Sequence, residues 1–246
     1  MREVRFSNKI FLMIYFLTSH SYFLTSFLTV DAYLNKFQKF KAAWQSELST
    51  RGFKIRFFIT LILLGFVLFS LARFLSVNEH SPGFEFNDPL LNLYPAVNVT
   101  WLTFGLIYLG LIIAVGLLAF HPRELIIALQ SYTLIASFRL ITIFFLPLNA
   151  PSGIIPLKDP FIEFFGSGNT LLRDLFFSGH TATMFLFFLT SPSRKLKVIF
   201  LICTVLIAIC VLAQHVHYSI DVIVAPFISY TCYRIICLIN QEVKKN

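Results

Sequence analysis

The chain has 246 residues, of which 57% are hydrophobic and 13% charged, and a formal net charge of +8. A soluble domain carries about 25% charged residues; here the apolar residues fall in long runs, which excludes a soluble globular enzyme and predicts a polytopic membrane protein. In a soluble protein the positive balance would point to nucleic acid. In this chain it is read as basic cytoplasmic loops facing anionic lipid, with no nucleic-acid partner.

The first apolar stretch, 10–30, is long enough to span but contains Ser19, His20 and Ser21. Arg2, Arg5 and Lys9 precede it, as in the basic front of a signal segment, yet no small-residue cleavage site follows. Three readings stay open: a signal anchor, an interfacial helix, or an extension upstream of the true start. Over 32–48, Tyr33, Leu34, Phe37, Phe40 and Trp44 recur at offsets of three and four with lysines between them. That spacing predicts an amphipathic helix on the cytoplasmic surface.

Six spans follow. They are 57–72; 100–120; 125–146, which carries Arg139; a fourth helix joining 175–180 to the apolar run 182–190; 198–213; and 218–239, with Asp221 near its start and Arg234 near its end. The expected fold is all-α, a polytopic membrane bundle. Its six-helix catalytic domain covers 51–246, with 1–50 appended as an apolar segment and a basic helix. Cys203, Cys210, Cys232 and Cys237 lie inside predicted spans without CxxC spacing and are read as small packing residues.

Lys and Arg in short loops orient the bundle. The stretch before the first span is strongly basic, and 75–99 has no Lys or Arg. The loop after the second span has Arg123; 148–177 sets Lys158 and Arg173 against Asp159, Glu163 and Asp174. Arg194, Lys195 and Lys197 follow the fourth helix, 214–217 has none, and Lys244 and Lys245 close the chain. The core termini are therefore expected in the cytoplasm. The loops 148–177 and 214–217 are expected together on the extracytoplasmic or lumenal side. This brings His180, His217, Asp221 and Arg139 to one face, beside the N-termini of the fourth and sixth helices. Free N–H groups and the helix dipole there favour a bound anion such as phosphate.

Charged residues inside membrane spans are costly and usually functional. Asp221 follows His217 by four, so on a helix the two share a face. A carboxylate on one imidazole nitrogen fixes the tautomer and makes the other nitrogen more basic, which suits His217 as a nucleophile toward phosphorus. His180, behind a Ser178-Gly179 turn at a helix mouth, is the candidate general acid and base. Arg139 would clamp phosphate oxygens with its planar fork. Asp174 would orient His180 or the substrate, and Ser178 would cap the fourth helix. Ser178, Gly179, Thr181 and Tyr218 complete the candidate substrate and phosphate contacts. The alternative for each residue alone is structural: an interfacial histidine, or an arginine paired to a carbonyl or carboxylate. His215-Val-His217 has the form of a metal pair, but no third ligand with matching spacing accompanies it. His20, His80 and His121 read as boundary or loop residues. Asn98-Val-Thr100 is a formal glycosylation sequon pressed against a span.

Two stretches, Asp174-x-x-Phe177-Ser-Gly-His-Thr181 and His217-Tyr-Ser-x-Asp-Val222, resemble the catalytic motifs of sphingomyelin synthases and related ceramide phosphotransferases, in the type 2 phosphatidic acid phosphatase superfamily. Arg139-Leu-Ile-Thr142 with Leu146-Pro147 resembles a third motif, with a different gap between arginine and proline. The resemblance covers about 50–240 and leaves the N-terminal stretch unmatched. It implies six helices, a His180, His217 and Asp221 triad on the extracytoplasmic side, and no metal or other cofactor. It also implies a phospho-headgroup passed from a phospholipid through phospho-histidine to diacylglycerol, ceramide or water. The lipid phosphatase branch usually has Ser-Arg ahead of HxxxD and an earlier Lys-Arg motif. Here Cys210 and Val211 stand at the Ser-Arg positions and no lysine precedes Arg139 in its helix. One arginine matches a diester monoanion better than a monoester dianion. A headgroup phosphotransferase is therefore expected, with a lipid phosphate phosphatase or a phospholipase C-like hydrolase as the alternative. A non-catalytic lipid binder that keeps its histidines for structure is the competing class.

Overall fold

A computed structural model describes residues 34–79, 82–157 and 172–245. The apolar stretch 10–30, whose reading was left open, lies outside the described residues. The chain divides into two units, Met1–Ser49 and Thr50–Asn246. In the first, residues 34–49 form helix α1, on which Phe40 and Trp44, one turn apart, bring their rings to 6.3 Å.

The second unit is a helical bundle: α2 (Arg51–Asn78), α3 (Thr100–Leu118), α4 (Pro122–Phe145), α5 (Gly179–Thr190), α6 (Arg194–Ala213) and α7 (Ser219–Lys245), with a short 3-10 turn at Leu91–Leu93. The all-α fold expected from the sequence is the one observed. All of these helices except α5 are long and apolar enough to cross a membrane. Their outward faces are apolar too: Phe58, Ile62, Phe66 and Phe69 of α2 are exposed, as suits a surface solvated by lipid. α2 begins and ends beyond the predicted 57–72, taking in Arg51, Lys54, Arg56 and Arg73. Their long side chains can reach the headgroup region while the helix continues.

The fourth predicted helix needs correction. It does not run from 175. Residues 175–178 are irregular, Phe176 has a φ of 37°, and the Ser178 N–H bonds to the Asp221 carbonyl at 3.1 Å instead of to its own helix. α5 starts at Gly179 and has only 12 residues, a rise of about 18 Å. A short helix is tolerable here because α5 lies inside the bundle. Met184 and Phe187 pack with Ala114, Phe200, Ile207 and Val211 from α3 and α6. Ala182 and Leu186 pack with Ile135 of α4 and with Ala225 and Cys232 of α7. The Ser229 hydroxyl of α7 donates to the Ala182 carbonyl at 3.0 Å. Pro226 sits within α7 and deprives the Val222 carbonyl of its helical donor, a loss that membrane helices tolerate.

A polar chain ties α2, α4 and α7 near the far end of α7. Arg56 Nη1 donates to Asn240 Oδ1 at 3.2 Å, Asn240 Nδ2 to Gln130 Oε1 at 2.8 Å, and Gln130 Nε2 to Thr60 Oγ1 at 3.1 Å. Asn240 is about 28 Å along α7 from Asp221. Interhelical hydrogen bonds of this kind hold membrane helices together where hydrophobic burial gives no drive.

Small residues set the packing of α3. A Cβ at Gly110 would lie 2.9 Å from Met184 Sδ, whereas one at Gly105 or Gly116 would meet nothing within 4 Å. Gly110→Leu should therefore overpack the α3–α5 contact and cost about 1–3 kcal/mol, read as a lower thermal midpoint in lipid nanodiscs. Gly116→Leu on the lipid side should leave the midpoint unchanged.

Candidate active site

The last turn of α6 and the first turn of α7 set the position of His217. α6 ends in a Schellman arrangement: the Val216 N–H bonds to the Val211 carbonyl at 3.0 Å and the His215 N–H to the Leu212 carbonyl at 2.9 Å. This puts His215 at a φ of 55°, in the left-handed region where glycine is usual. The chain then turns back into α7. The two histidines of the HxH sequence diverge. His215 Nδ1 faces the Ser152 carbonyl at 3.2 Å and its ring packs edge-on to Tyr94, while His217 Nδ1 lies 3.3 Å from Asp221 Oδ2.

Asp221 is fully buried and His217 nearly so. The same Oδ2 accepts the Tyr218 N–H at 3.1 Å, the backward half of a capping box. A carboxylate only accepts, so it assigns the proton to His217 Nδ1 and leaves the Nε2 lone pair for chemistry. Asp221 Oδ1 is buried with no partner among the described residues. Through its backbone carbonyl, Asp221 also holds Ser178, the residue before α5. The two helix N-termini are thus joined by one residue.

At α5, Ser178 Oγ accepts from the Thr181 N–H at 3.4 Å and from the Thr181 hydroxyl at 3.0 Å. Ser178 therefore caps α5, and both side chains are buried. His180 is the second residue of the helix. Arg139, on α4, reaches this turn from the side. Its Nη1 donates to the Phe177 carbonyl at 2.8 Å, its Nη2 pairs with Asp174, and its guanidinium lies over the Phe177 ring. Gly179 is needed for that approach, because a Cβ there would overlap the guanidinium. Burial works against the Asp174 charge, but the Arg139 charge and hydrogen bond hold its pKa below the ordinary 3.8, with smaller help from His217 and His180. Asp174 is therefore held ionised chiefly by its pairing with Arg139.

Among the sequence-selected residues, Asp174, Ser178, Gly179, His180, Thr181, Arg139, His217 and Asp221 come together at one junction. Tyr218 adjoins it through its backbone, but its hydroxyl points elsewhere, donating to the Asn149 carbonyl at 3.0 Å and accepting the Phe86 N–H at 3.2 Å. The two helix N-termini also differ. At α7 the Tyr218 and Ser219 N–H groups are already taken by Asp221 and by Asp88. At α5 the Ser178 and Thr181 N–H groups are likewise engaged, but the Arg139 guanidinium adds a positive charge beside that turn. A cavity of about 350 Å³ beside Tyr218 is lined by Glu85, Phe86, Asn87, Asp88 and Ser152 among others. Of its two carboxylates, Asp88 is buried with both oxygens bonded to backbone N–H groups, and Glu85 is the exposed one.

Sequence reasoning missed two acidic residues. Asp88 receives the Ser219 N–H at 2.6 Å. Glu79, at the end of α2, receives the N–H groups of Leu172 and Arg173 at 3.1 and 3.2 Å. Both partners are more than 90 residues away in sequence, and only a local acidic turn, Asn87-Asp88-Pro89, marks the first. Of the loop 149–170, residues up to 157 are described.

The Arg139–Asp174 pair predicts a pH-dependent stability. A carboxylate whose folded pKa is depressed contributes stability that is complete above its unfolded value and is lost as pH falls through the folded one. Asp174→Asn should accordingly lower the thermal midpoint by a few degrees at pH 7. The gap to wild type should narrow only below the ordinary aspartate value of 3.8, as followed by thermal scans from pH 7 to pH 3.

A comparison with curated proteins finds no match. Residues 173–237 match the family model described as PAP2 superfamily C-terminal, a stretch that runs from Arg173 through α5 and α6 into α7 and carries both histidines. The match, confined to that stretch, supports a likeness to the type 2 phosphatidic acid phosphatase superfamily, whose members are enzymes acting on phosphate esters.

Proposed function

We propose that this protein is a phospholipid headgroup phosphotransferase of the sphingomyelin synthase type, working at the extracytoplasmic or lumenal face of its membrane. The observation that carries the reading is the junction of the α5 and α7 N-termini, tied by the Ser178 N–H to the Asp221 carbonyl, where Asp221 orients His217 at 3.3 Å, His180 stands in the first turn of α5 and Arg139 bonds the carbonyl before it. In the first step His217 Nε2 attacks the phosphorus of a diester. An N–P bond forms, the P–O bond to the diacylglycerol breaks, and His180 gives its proton to the leaving alkoxide. In the second step His180 takes a proton from the acceptor hydroxyl. That oxygen attacks phosphorus and frees His217, so headgroup and phosphate move together. Arg139 donors not used by Asp174 and Phe177, with the N–H groups of α5, stabilise the charge on the equatorial oxygens.

Charge favours a diester over a monoester. Arg139 is already paired with Asp174, so the site holds little net positive charge to offset a dianion. Cys210 and Val211, at the positions where phosphatases of the superfamily carry Ser-Arg, are buried packing residues on α6. The exposed Glu85 carboxylate at the cavity beside Tyr218 suits the ammonium end of a zwitterionic headgroup, which phosphatidate lacks.

The test is turnover of a labelled lipid panel by purified protein in nanodiscs, with and without diacylglycerol or ceramide, read by mass. Phosphatidylcholine or phosphatidylethanolamine should pass its phospho-headgroup to the added acceptor, and phosphatidate should release little inorganic phosphate. His217→Ala and His180→Ala should each lower transfer by at least about 10³-fold, as loss of a member of a catalytic unit does. Phosphate release from phosphatidate as the main activity would replace this reading with a phosphatase. Water as the sole acceptor would replace it with a hydrolase, and full turnover in both variants would remove the catalytic assignment.

A further inference from the structure

Asp88 lies in the loop between α2 and α3, 131 residues before its partner Ser219. It is 3% exposed. Its Oδ2 accepts the Ser219 N–H at 2.6 Å and its Oδ1 the Leu90 N–H at 2.9 Å. Ser219 is the first residue of α7, and Tyr218 before it has no side-chain oxygen able to cap the helix it opens. A helix terminus leaves its first N–H groups without intrahelical partners, so the cap is supplied from another part of the chain. Burial opposes the Asp88 charge, but the hydrogen bonds from Ser219 and the N–H groups of Leu90 and Leu91 hold its pKa below 3.8.

The loop that carries Asp88 is itself fixed. The Asn92 N–H bonds back to the Asp88 carbonyl at 3.3 Å. Leu91 is buried against Leu148, Leu175 and Tyr218, and the Phe86 N–H donates to the Tyr218 hydroxyl at 3.2 Å. The stretch 86–88 therefore grips 218–219 at two points. The first turn of α7 also contains Asp221, whose Oδ2 must meet both the Tyr218 N–H and His217 Nδ1. A rotation or slip of that turn would separate the carboxylate from the imidazole.

We propose that Asp88 is a positioning residue of the site: by capping α7 from the α2–α3 loop, it holds the Asp221 carboxylate in register with His217. It touches no reacting atom in this role. The inference rests on the catalytic reading of His217 and Asp221, but its structural half can be measured without turnover. Capping depends on a hydrogen-bond acceptor at a set reach more than on charge, because asparagine caps helices about as well as aspartate.

The experiment uses the full chain in nanodiscs, with phosphatidylcholine and phosphatidylethanolamine as donors and diacylglycerol or ceramide as acceptor. Asp88→Ala, Asp88→Asn and Asp88→Glu are compared for kcat, for KM, and for hydrogen exchange in peptides covering 216–222. Asp88→Ala should lower kcat at least tenfold with KM within about twofold, and should speed exchange at 216–222 by a similar factor. Asp88→Asn keeps an acceptor for the Ser219 N–H but sets its NH2 against the Leu90 N–H, so it should restore both only in part. Asp88→Glu, which keeps the charge but displaces the carboxylate by a methylene, should fall below Asp88→Asn, and this pair decides the matter if the alanine variant does not fold. Wild-type kcat and exchange in Asp88→Ala would overturn the proposal, as would an asparagine variant no better than the glutamate one. If the wild-type protein moves no headgroup from either lipid, the proposed function fails, and exchange at 216–222 still judges the cap.

Discussion

The site depends on one buried carboxylate. Asp221 is fully enclosed, and a charge withdrawn from water is tolerated only with close partners. Its partners are the His217 ring and the Tyr218 N–H, both within four residues. Its backbone carbonyl reaches across the bundle to Ser178. A single residue thus sets the imidazole tautomer, closes the first turn of α7 and sets where α5 begins. Charge placement and helix packing at this point are the same constraint.

Arg139 plays the corresponding part from the other side. It secures the turn before α5 by bonding the Phe177 carbonyl and pairing with Asp174. Its approach is possible because Gly179 has no side chain. The pair also sets the electrostatic character of the site, since an arginine that already faces a carboxylate offsets only part of a substrate's charge. Asp174 is held ionised chiefly by the Arg139 guanidinium, so an entering phosphate would contest that pairing. Beside Tyr218, Glu85 is exposed while Asp88 is buried with both oxygens bonded to backbone N–H groups.

The residues of the site were legible in the sequence because each breaks the local pattern. A histidine, an aspartate or an arginine in an apolar run is conspicuous, and the four-residue step from His217 to Asp221 makes a shared helical face predictable. The length of α5 was not legible. Hydropathy continues from Leu175 to Thr190, and nothing local shows that Ser178 turns its N–H away to Asp221. Hydropathy also marks a helix buried by protein and a helix bathed in lipid in the same way, so an interior 12-residue helix reads as part of a span. Tyr218 shows the reverse limit: its place beside His217 was visible, while its hydroxyl is committed to Asn149 and Phe86.

By itself the sequence determined the all-helical membrane fold, because the bilayer admits few ways to satisfy a buried backbone. It also determined the chemistry available at the site, through two histidines, two aspartates and an arginine that apolar runs would not otherwise contain. The tertiary structure decided which of these groups face one another, where α5 begins, and which distant residues hold each helix N-terminus. Those outcomes depend on hydrogen bonds between segments far apart in the chain, such as Asp88 to Ser219 and Arg139 to Phe177. Local spacing carries no record of such contacts, because the geometry that makes them exists only after the helices have packed.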